Sequence, residues 1–472
     1  MSLKNTGATL KRALILAVPM MIQNGITNAV GLVDHIMVGS LGTEAMTAVS
    51  IVGQLIFVFT LALFGGLSGP GIFTAQFYGQ GSVEGVKAST RMKAVICAFV
   101  TVGGIAVLFL GKDLLFGLYL QGESAQIDSV LTLSHAADYL HIMLLGLPAM
   151  AVTQIYSSSL RETGDSLKPM TAGIISVAAD IIFNYLFIYG NFGFPQLGVR
   201  GAAIATVIAR YLEMTALVLW AYLRRKKHPF IQGLWRTLRV PKDIRRKIII
   251  KTIPIFCNEF LWAAGLAALT QCYSTRGLSV VAGINISNVL CNLFNVVFVA
   301  LGHSVGILVG QRLGAGEFGL AKKESFILTI FTAFLCTGLS AGLIALSGTF
   351  PLLYDTNDEV RSLAAGFITI TALFFPVQGI LNTLYFTLRA GGKTLITFIF
   401  DSVFSWSVTV PTALILSMLT DLPVLTVYAI VQSADIIKTI IGAIMIKKGI
   451  WITNLTSAAD RKSQPETHLP TP

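Results

Sequence analysis

Residues 71–87 read GIFTAQFYGQGSVEGVK, and residues 306–322 read GILVGQRLGAGEFGLAK. The second segment matches the first at a distance of 235 residues, and the same distance aligns the whole of 19–87 with 254–322 without a gap. A duplicated unit of about half the chain length, in a chain this apolar, is typical of transporters built from two similar helical bundles. The duplication therefore predicts two homologous halves.

The composition indicates a membrane protein. Charged residues make up 12% of the chain and hydrophobic residues 54%, whereas an average soluble domain carries about 25% charged residues. A helix needs about 20 apolar residues to cross the hydrocarbon core. Such windows predict twelve spans, at residues 13–38, 45–77, 94–111, 139–160, 169–190, 201–223, 248–273, 280–311, 325–351, 363–388, 394–419 and 424–446. The predicted fold class is an all-α integral membrane protein with twelve transmembrane helices in two pseudo-symmetric six-helix bundles.

The spans divide at the most basic segment of the chain. We predict an N-terminal six-helix lobe at residues 1–223, a basic cytoplasmic linker at 224–247, a C-terminal six-helix lobe at 248–447 and a cytoplasmic tail at 448–472. Because each half holds an even number of spans, both halves cross the membrane in the same sense, and the repeat is parallel.

The distribution of positive charge predicts the orientation. Of the 34 Lys and Arg residues, those in loops opposite the termini are Lys112, Arg200, Arg276 and Arg361. Lys and Arg accumulate on the cytoplasmic side, so we expect a multi-pass protein of the cell inner membrane with both termini in the cytoplasm. The net charge of +11 is then explained by contact with anionic membrane lipids, and nucleic acid is not an expected partner.

Several acidic residues lie inside predicted spans. Arg210 with Glu213, and Asp435 with Lys438, stand three residues apart, so each pair is expected to neutralise itself. The acids without such a partner are Asp34, Asp180, Glu259 and Asp401. An ionisable group in hydrocarbon is costly unless it is paired, which makes these four residues functional candidates. Their oxygens could carry a proton or ligate a hard cation such as Na+.

The first half carries the predicted cation site. Asp180 and Asn184 are four residues apart in the fifth span, so they share one helical face near the middle of the membrane. Together with Asp34 and the hydroxyl group of Thr206 they are predicted to bind the coupling cation, and Asp34, Asp180 and Asn184 are the candidate ligands for Na+. Asp34 lies late in the first span, so an alternative is an acid that reaches the outer interface.

The second half carries Glu259 and Asp401, which we predict to bind substrate or a proton. Glu259 lies near the middle of the seventh span, has no basic residue in that span to neutralise it, and aligns in the repeat with the neutral Asn24. Asp401 is shallower. Its alternative role is that of a packing acid satisfied by Ser402, Ser405 or a neighbouring span.

Taken together, six motifs make the chain resemble the multidrug and toxic compound extrusion (MATE) family over essentially its whole length. They are Val33-Asp34 with Met37 and Gly39, Gln76-x-x-Gly79-x-Gly81, Arg161-x-x-Gly164-Asp165-Ser166, Pro254-x4-Glu259-Phe260-Leu261-Trp262, Gly310-Gln311-x-x-Gly314-Ala315-Gly316 and Gly449-x-Trp451-x-x-Asn454-Leu455-Thr456. The resemblance implies a secondary active antiporter that exports cationic or amphipathic organic compounds in exchange for H+ or Na+, by alternating access between two lobes. It implies a transporter and not an enzyme, without a cofactor beyond the coupling ion, and we expect a monomer.

The chain departs from the family pattern at two places. The family's span-five pair is written as Asn followed four residues later by Asn or Asp, whereas here Asp180 precedes Asn184. Asp34 and Glu259 match the family's acids in spans one and seven, but the span-ten acid of some members is absent, with Gln378 in its neighbourhood. Both H+ and Na+ stay open as the coupling ion. The alternative function is a lipid-linked oligosaccharide flippase of the same superfamily, which would favour a cationic central cavity.

Overall fold

The computed structural model describes residues 3–120 and 129–457, so residues 458–472 of the predicted tail lie outside the described range. These described residues are mostly helical and contain no strand. The α-helices are α1 (Leu3–Gly39), α2 (Thr43–Gly79), α3 (Val83–Leu110), α4 (Lys112–Leu120), α5 (Ser129–Glu162), α6 (Leu167–Tyr189), α7 (Val199–Leu223), α8 (Lys242–Ser274), α9 (Leu278–Gly314), α10 (Phe318–Ser347), α11 (Asp358–Ala390), α12 (Thr394–Phe398), α13 (Val410–Leu419) and α14 (Val424–Lys447). Two π-helical turns, Ile399–Val403 and Ser405–Thr409, lie between α12 and α13.

Within the described ranges, twelve helical segments are long and apolar enough to cross a membrane, which confirms the predicted fold class. One of them, Thr394–Leu419, comprises α12, the two π-helical turns and α13. The helices extend beyond several predicted spans. The fourth span, predicted at 139–160, lies inside α5, which begins at Ser129. Polar residues such as Asp138 end a hydropathy window but not a helix, because their side chains can point to water from one helical face.

The chain forms two compact units. The N unit is formed by the described residues within Ile22–Thr74 and Val83–Ile248, and the C unit by the described residues within Met1–Met21, Ala75–Ser82 and Ile249–Pro472. Two segments of the first half, the start of α1 and the end of α2, thus belong to the unit that holds most of the second half. The division into lobes at 223 and 248 stays a prediction.

In the N unit, α6 and α7 pack through matching buried stripes. The buried positions of α7 include a row of residues four apart: Gly201, Ala205, Ala209, Glu213, Leu217 and Ala221. Small residues let the helices approach closely, as in many membrane bundles. A Cβ atom at Gly201 would lie only 2.4 Å from the Phe187 carbonyl oxygen, and Ser176 Oγ donates to the Ala209 carbonyl at 3.0 Å. Asp180 and Asn184 lie on the buried stripe of α6, so they face protein.

The basic linker packs on the N unit. Phe230, Ile231 and Leu234 are buried, and Trp235 Nε1 donates to the Tyr156 hydroxyl at 2.8 Å. At its start, His228 Nε2 lies 3.4 Å from Asp165 Oδ2 in the turn between α5 and α6. The linker is therefore anchored to the unit that precedes it in the chain.

One charged group of this turn has a shifted pKa. Burial alone would raise the pKa of Asp165, but the neighbouring His228 ring and the charge of Lys227 outweigh burial, and the pKa is lowered from its ordinary value. Lys227 Nζ lies 3.7 Å from Asp165 Oδ2. The folded protein therefore favours the ionised form of this carboxyl group.

In the C unit, the ends of α2 and α9 cross with their backbones in close contact. A Cβ atom at Gly79 would lie 1.9 Å from the Gln311 carbonyl oxygen, and one at Gly314 would lie 1.8 Å from the Gln76 carbonyl oxygen. The contact is symmetric, because Gln76 and Gly79 align with Gln311 and Gly314 in the repeat. Only glycine fits at either position.

Residues 449–457 close over this crossing, and we call them the tail clamp. Trp451 is fully buried. Gln76 Nε2 donates to the Ala390 carbonyl at 2.9 Å and its Oε1 accepts from the Leu455 backbone N–H at 2.7 Å. Asn454 Nδ2 donates to the Gly314 carbonyl at 3.2 Å. The tail clamp therefore ties together the ends of α2, α9 and α11.

Candidate functional site

The structure brings the predicted acids of the first half together. Asn184 Nδ2 donates to Asp34 Oδ1 at 2.9 Å, linking α6 to α1. The carboxyl groups of Asp34 and Asp180 are close enough to interact directly. Asp180 and Asn184 are 8% and 1% exposed, so the cluster is protein-lined. Two carboxylates at this separation repel each other unless they share a proton or a metal ion.

Side chains from α5 and α7 complete this cluster. The hydroxyl group of Thr206 lies between Asp180 and the buried Tyr139 and interacts with both. Arg210, one turn after Thr206, also interacts with Asp180. Its Nη1 lies 3.2 Å from Glu213 Oε2, which confirms the predicted local pair. Because Glu213 balances the charge of Arg210, Asp34 and Asp180 together carry an excess negative charge when both are ionised.

Two oxygen atoms of the cluster have no hydrogen-bond donor. Among the buried side-chain atoms of the described residues, Asp180 Oδ1 and Asn184 Oδ1 lack a hydrogen-bond partner. Buried oxygens without a donor are costly, and a proton or a small hard cation would satisfy them. With Asp34 beside them, the donor set fits either ion.

The predicted acids of the C unit form a second cluster, centred on Asn258. Asn258 Nδ2 donates to Asp401 Oδ2 and to the Tyr385 hydroxyl, both at 3.1 Å. Ser402 Oγ donates to Asn258 Oδ1 at 2.7 Å. One alternative from the sequence was that a residue of a neighbouring span would hydrogen-bond to Asp401. That residue is Asn258 of α8.

Asp401 lies in the first of the two π-helical turns, Ile399–Val403. Single π-helical turns inside α-helices are rare and are frequent at functional sites. Lys438 of α14 interacts with Asp401 and lies 3.1 Å from Asp435 Oδ1, as predicted for this local pair. The cluster therefore alternates acidic and basic groups.

Glu259 does not have the unpaired carboxylate that we expected. Arg389, in the last turn of α11, places Nη2 3.4 Å from Glu259 Oε1, and both side chains are buried, at 5% and 11% exposure. The expectation was wrong because it considered basic residues within the same span only, whereas the partner comes from a helix 130 positions later in the chain. Glu259 and Asp401 thus each have a basic neighbour, Arg389 and Lys438.

Sequence reasoning missed four residues of these clusters: Tyr139, Asn258, Tyr385 and Arg389. A signal for two of them is present in the repeat. Asn258 and Glu259 align with Gln23 and Asn24, a polar pair inside both apolar spans. In the N unit, Arg161 Nη2 donates to Gln23 Oε1 at 2.7 Å, and Arg161 aligns with Arg389 at a distance of 228 residues. The tyrosines carry no comparable signal.

Comparison with known proteins gives a consistent result. The MatE family model matches residues 19–186 and 254–415. The chain is 30% identical to the probable multidrug resistance protein YoeA of Bacillus subtilis, over 87% of this chain and 88% of that protein. It is 26% identical to the probable multidrug resistance protein NorM of Thermotoga maritima, over 93% of both chains.

Solved structures share the fold. The crystal structure of a mutant of the Vibrio cholerae MATE transporter VcmN superposes with a TM-score of 0.82 at 18% identity, covering 95% of this chain and 98% of that one. A MOP superfamily transporter from Pyrococcus furiosus, described as having a binding pocket of reverse polarity, superposes with a TM-score of 0.80 at 18% identity, covering 94% of this chain and 96% of that one. At this identity the likeness extends to the fold alone.

Proposed function

Because the chain belongs to the multidrug and toxic compound extrusion family, we propose that it is a secondary active antiporter that exports cationic or amphipathic organic compounds in exchange for H+ or Na+. The names of its multidrug resistance relatives support the substrate class. The observation that supports the coupling step is the pair of half-buried Asp34 and buried Asp180, with oxygens on Asp180 and Asn184 that accept no hydrogen bond. Such a group of oxygens binds a proton or a small cation and releases it when its geometry changes.

In the proposed cycle, the coupling ion binds to Asp34, Asp180, Asn184 and Thr206 from the outside. Binding neutralises the repulsion between the two carboxylates, so it stabilises the arrangement in which α1 and α6 are joined by the bond from Asn184 to Asp34. The lobes then alternate in access and the substrate is released. An ion can drive this change only by binding the two states with different affinity.

We propose that Glu259 and Asp401 in the C unit attract the positive charge of the substrate, or carry a proton in its place. Three acids, Glu259, Asp401 and Asp435, face two basic groups, Arg389 and Lys438. When all five groups are ionised, the cluster therefore carries one negative charge in excess. An excess negative charge in a low-dielectric region favours binding of a cation.

The topology follows from the charge distribution. We propose a multi-pass protein of the cell inner membrane with both termini in the cytoplasm, acting as a monomer among anionic lipids. The functional lobes are then 1–223 and 248–447, joined by the linker 224–247, with a tail at 448–472. The acidic clusters and the multidrug resistance relatives do not favour the alternative of a lipid-linked oligosaccharide flippase.

Transport in proteoliposomes tests the proposal. Purified protein is reconstituted, and efflux of a fluorescent cation is measured under a proton gradient or a sodium gradient imposed separately. We expect one of the two gradients to accelerate efflux. We expect Asp34→Asn to abolish this acceleration, because the neutral amide can no longer help Asp180 to bind and release the coupling ion. Asp358→Asn is the matched control, since the Asp358 side chain is 98% exposed. Gradient-driven efflux that survives Asp34→Asn would remove Asp34 from coupling.

A further inference from the structure

The guanidinium group of Arg389 lies inside a buried box in the C unit. Its Nη2 faces the carboxylate of Glu259 at 3.4 Å. Its central carbon lies 5.5 Å from the centre of the Tyr385 ring and 5.7 Å from the centre of the Phe386 ring. A positive charge thus lies against one acid and two aromatic rings.

This combination is the chemistry that recognises organic cations. A carboxylate supplies charge, and aromatic faces attract a cation within about 6 Å of the ring centre, with quaternary ammonium ligands bound in the same way. We propose that Arg389 is a built-in competitor that occupies the organic-cation site of Glu259, so that a substrate binds there by displacing the guanidinium group. The proposal deepens the proposed function, on which it rests, by identifying a residue that sets substrate affinity.

The position of Arg389 allows this displacement. Its 3.4 Å contact is longer than the ~2.7–2.9 Å of a strong charge-assisted hydrogen bond, and its Nη1 makes an equally long contact of 3.4 Å with the Tyr385 hydroxyl. Arg389 is the penultimate residue of α11, followed by the turn at Gly391 and Gly392. A long side chain at a helix end can extend its charged group towards water while its stem stays packed.

The repeat indicates that this box belongs to the C unit. In the N unit the arginine is retained as Arg161, but it donates to the neutral Gln23. The position of Glu259 is taken there by Asn24, and the position of Asp401 by Gly173. Arg161 interacts with Glu213 and Glu162 instead, and Ser157 and Ser158 take the positions of the two aromatic rings. The combination of the Glu259 carboxylate with aromatic faces therefore belongs to the arginine of the C unit.

The neighbouring charges define the class of ligand. Asp401 interacts with Glu259 and accepts a hydrogen bond from Asn258. Lys438 interacts with Asp401 and is paired with Asp435. A substrate with one positive charge would take the place of the guanidinium charge beside Glu259. We therefore expect a monovalent organic cation with aromatic or alkyl groups around its charge, and a dication would bind less well.

Equilibrium binding of tetraphenylphosphonium to the full-length protein in detergent tests this. We expect Arg389→Ala to bind about tenfold more tightly than the wild type, a difference equivalent to about 1.4 kcal/mol. Arg276→Ala is the charge-matched control in the same unit, because Arg276 donates to the backbone carbonyls of Leu416 and Thr420 and not to an acid. The double variant Arg389→Ala with Glu259→Gln should lose the gain.

If Arg389→Ala is too unstable for equilibrium binding, the shift of its unfolding temperature by the ligand tests the same proposal. Removing Arg389 leaves a buried unpaired carboxylate, so we expect tetraphenylphosphonium to raise the unfolding temperature of this variant more than that of the wild type. Arg389→Lys should fall between the two. Unchanged or weaker binding to Arg389→Ala, no binding to any variant, or a gain that persists without Glu259 would each overturn the proposal. Gradient-driven efflux is a separate readout, so a failure here leaves the antiport test independent.

Discussion

At the scale of single residues, spacing predicted which side chains share a face, but not which distant residue each one meets. The four-residue interval between Asp180 and Asn184 was sufficient, because a helix fixes that geometry locally. The arginine beside Glu259 was not predictable in the same way, because the pairing depends on how α8 and α11 pack. The alignment of Arg161 with Arg389 in the repeat indicated this pairing. Arg161 contacts Gln23 and Arg389 contacts Glu259, and these are neighbouring positions of the same polar pair in the first and seventh spans.

Asp165 predicts a dependence of stability on pH. Its pKa is lower in the folded protein than the ordinary value, so the unfolded chain binds more protons as the pH falls. Asp165 therefore makes its full contribution to the free energy of unfolding above its ordinary pKa of about 4. That contribution is lost as the pH falls through the lowered pKa of the folded protein. Unfolding temperatures of the detergent-solubilised protein between about pH 6 and about pH 3 would measure this.

The control for that measurement is a carboxyl group that is open to water, Asp358, whose ion pair with Arg361 is on the surface. Asp165→Asn should flatten part of the pH dependence on the acid side, whereas Asp358→Asn, at an exposed acid, should not. The same loss of stability in wild type and Asp165→Asn over this range would show that Asp165 contributes nothing.

At the scale of elements, hydropathy found every membrane-crossing segment but not its internal geometry. The segment Thr394–Leu419 reads as one uniform span, yet it contains two π-helical turns around Asp401 and Ser405. The backbone hydrogen bonds of these turns depend on the helices that pack against them, and the local amino-acid composition does not determine that packing. The end of α5 nearest Ser129 was missed for a different reason, because hydropathy measures apolar length and not helical length.

The crossing of α2 and α9 gives a prediction at this scale. Gly314→Ala places a methyl group 1.8 Å from the Gln76 carbonyl oxygen, so the backbones must separate. We expect a loss of stability of about 3 kcal/mol or more, at the upper end of overpacking effects. Thermal unfolding of the purified protein measures it.

A matched glycine provides the control. Gly319 lies in α10, and an added Cβ atom there meets nothing within 4 Å. Gly319→Ala should therefore leave the unfolding temperature unchanged or raise it slightly, since alanine favours a helix more than glycine does. Equal effects of the two substitutions would show that the close crossing is not what holds these helix ends.

At the scale of the whole molecule, the duplication predicted two related halves and their common sense of insertion. It did not predict that residues 75–82 and the start of α1 pack with the second half. A repeat identifies which segments are homologous, whereas packing depends on which surfaces are complementary. The tail motif at Gly449 to Thr456 was visible in the sequence, but its contacts with Gln76 and Gly314 required the fold.

The tail clamp predicts a long-range effect of a single substitution. Trp451 is fully buried, whereas Trp262 is 38% exposed. Trp451→Ala should cost about 3–5 kcal/mol of stability, as for other large aromatic residues removed from a core. Trp262→Ala should cost much less. Comparable shifts in the unfolding temperature for the two variants would contradict the assignment of the clamp as part of the core.

The composition of the C unit has a consequence for biosynthesis. The N unit lies within residues 22–248, so all its helices have left the ribosome while the second half is still being translated. The C unit needs the start of α1, the end of α2 and residues 449–457, which are separated by almost the whole chain. Nascent α1 and α2 must therefore keep their ends available through most of translation, and the C unit is completed only after the last helix has been inserted.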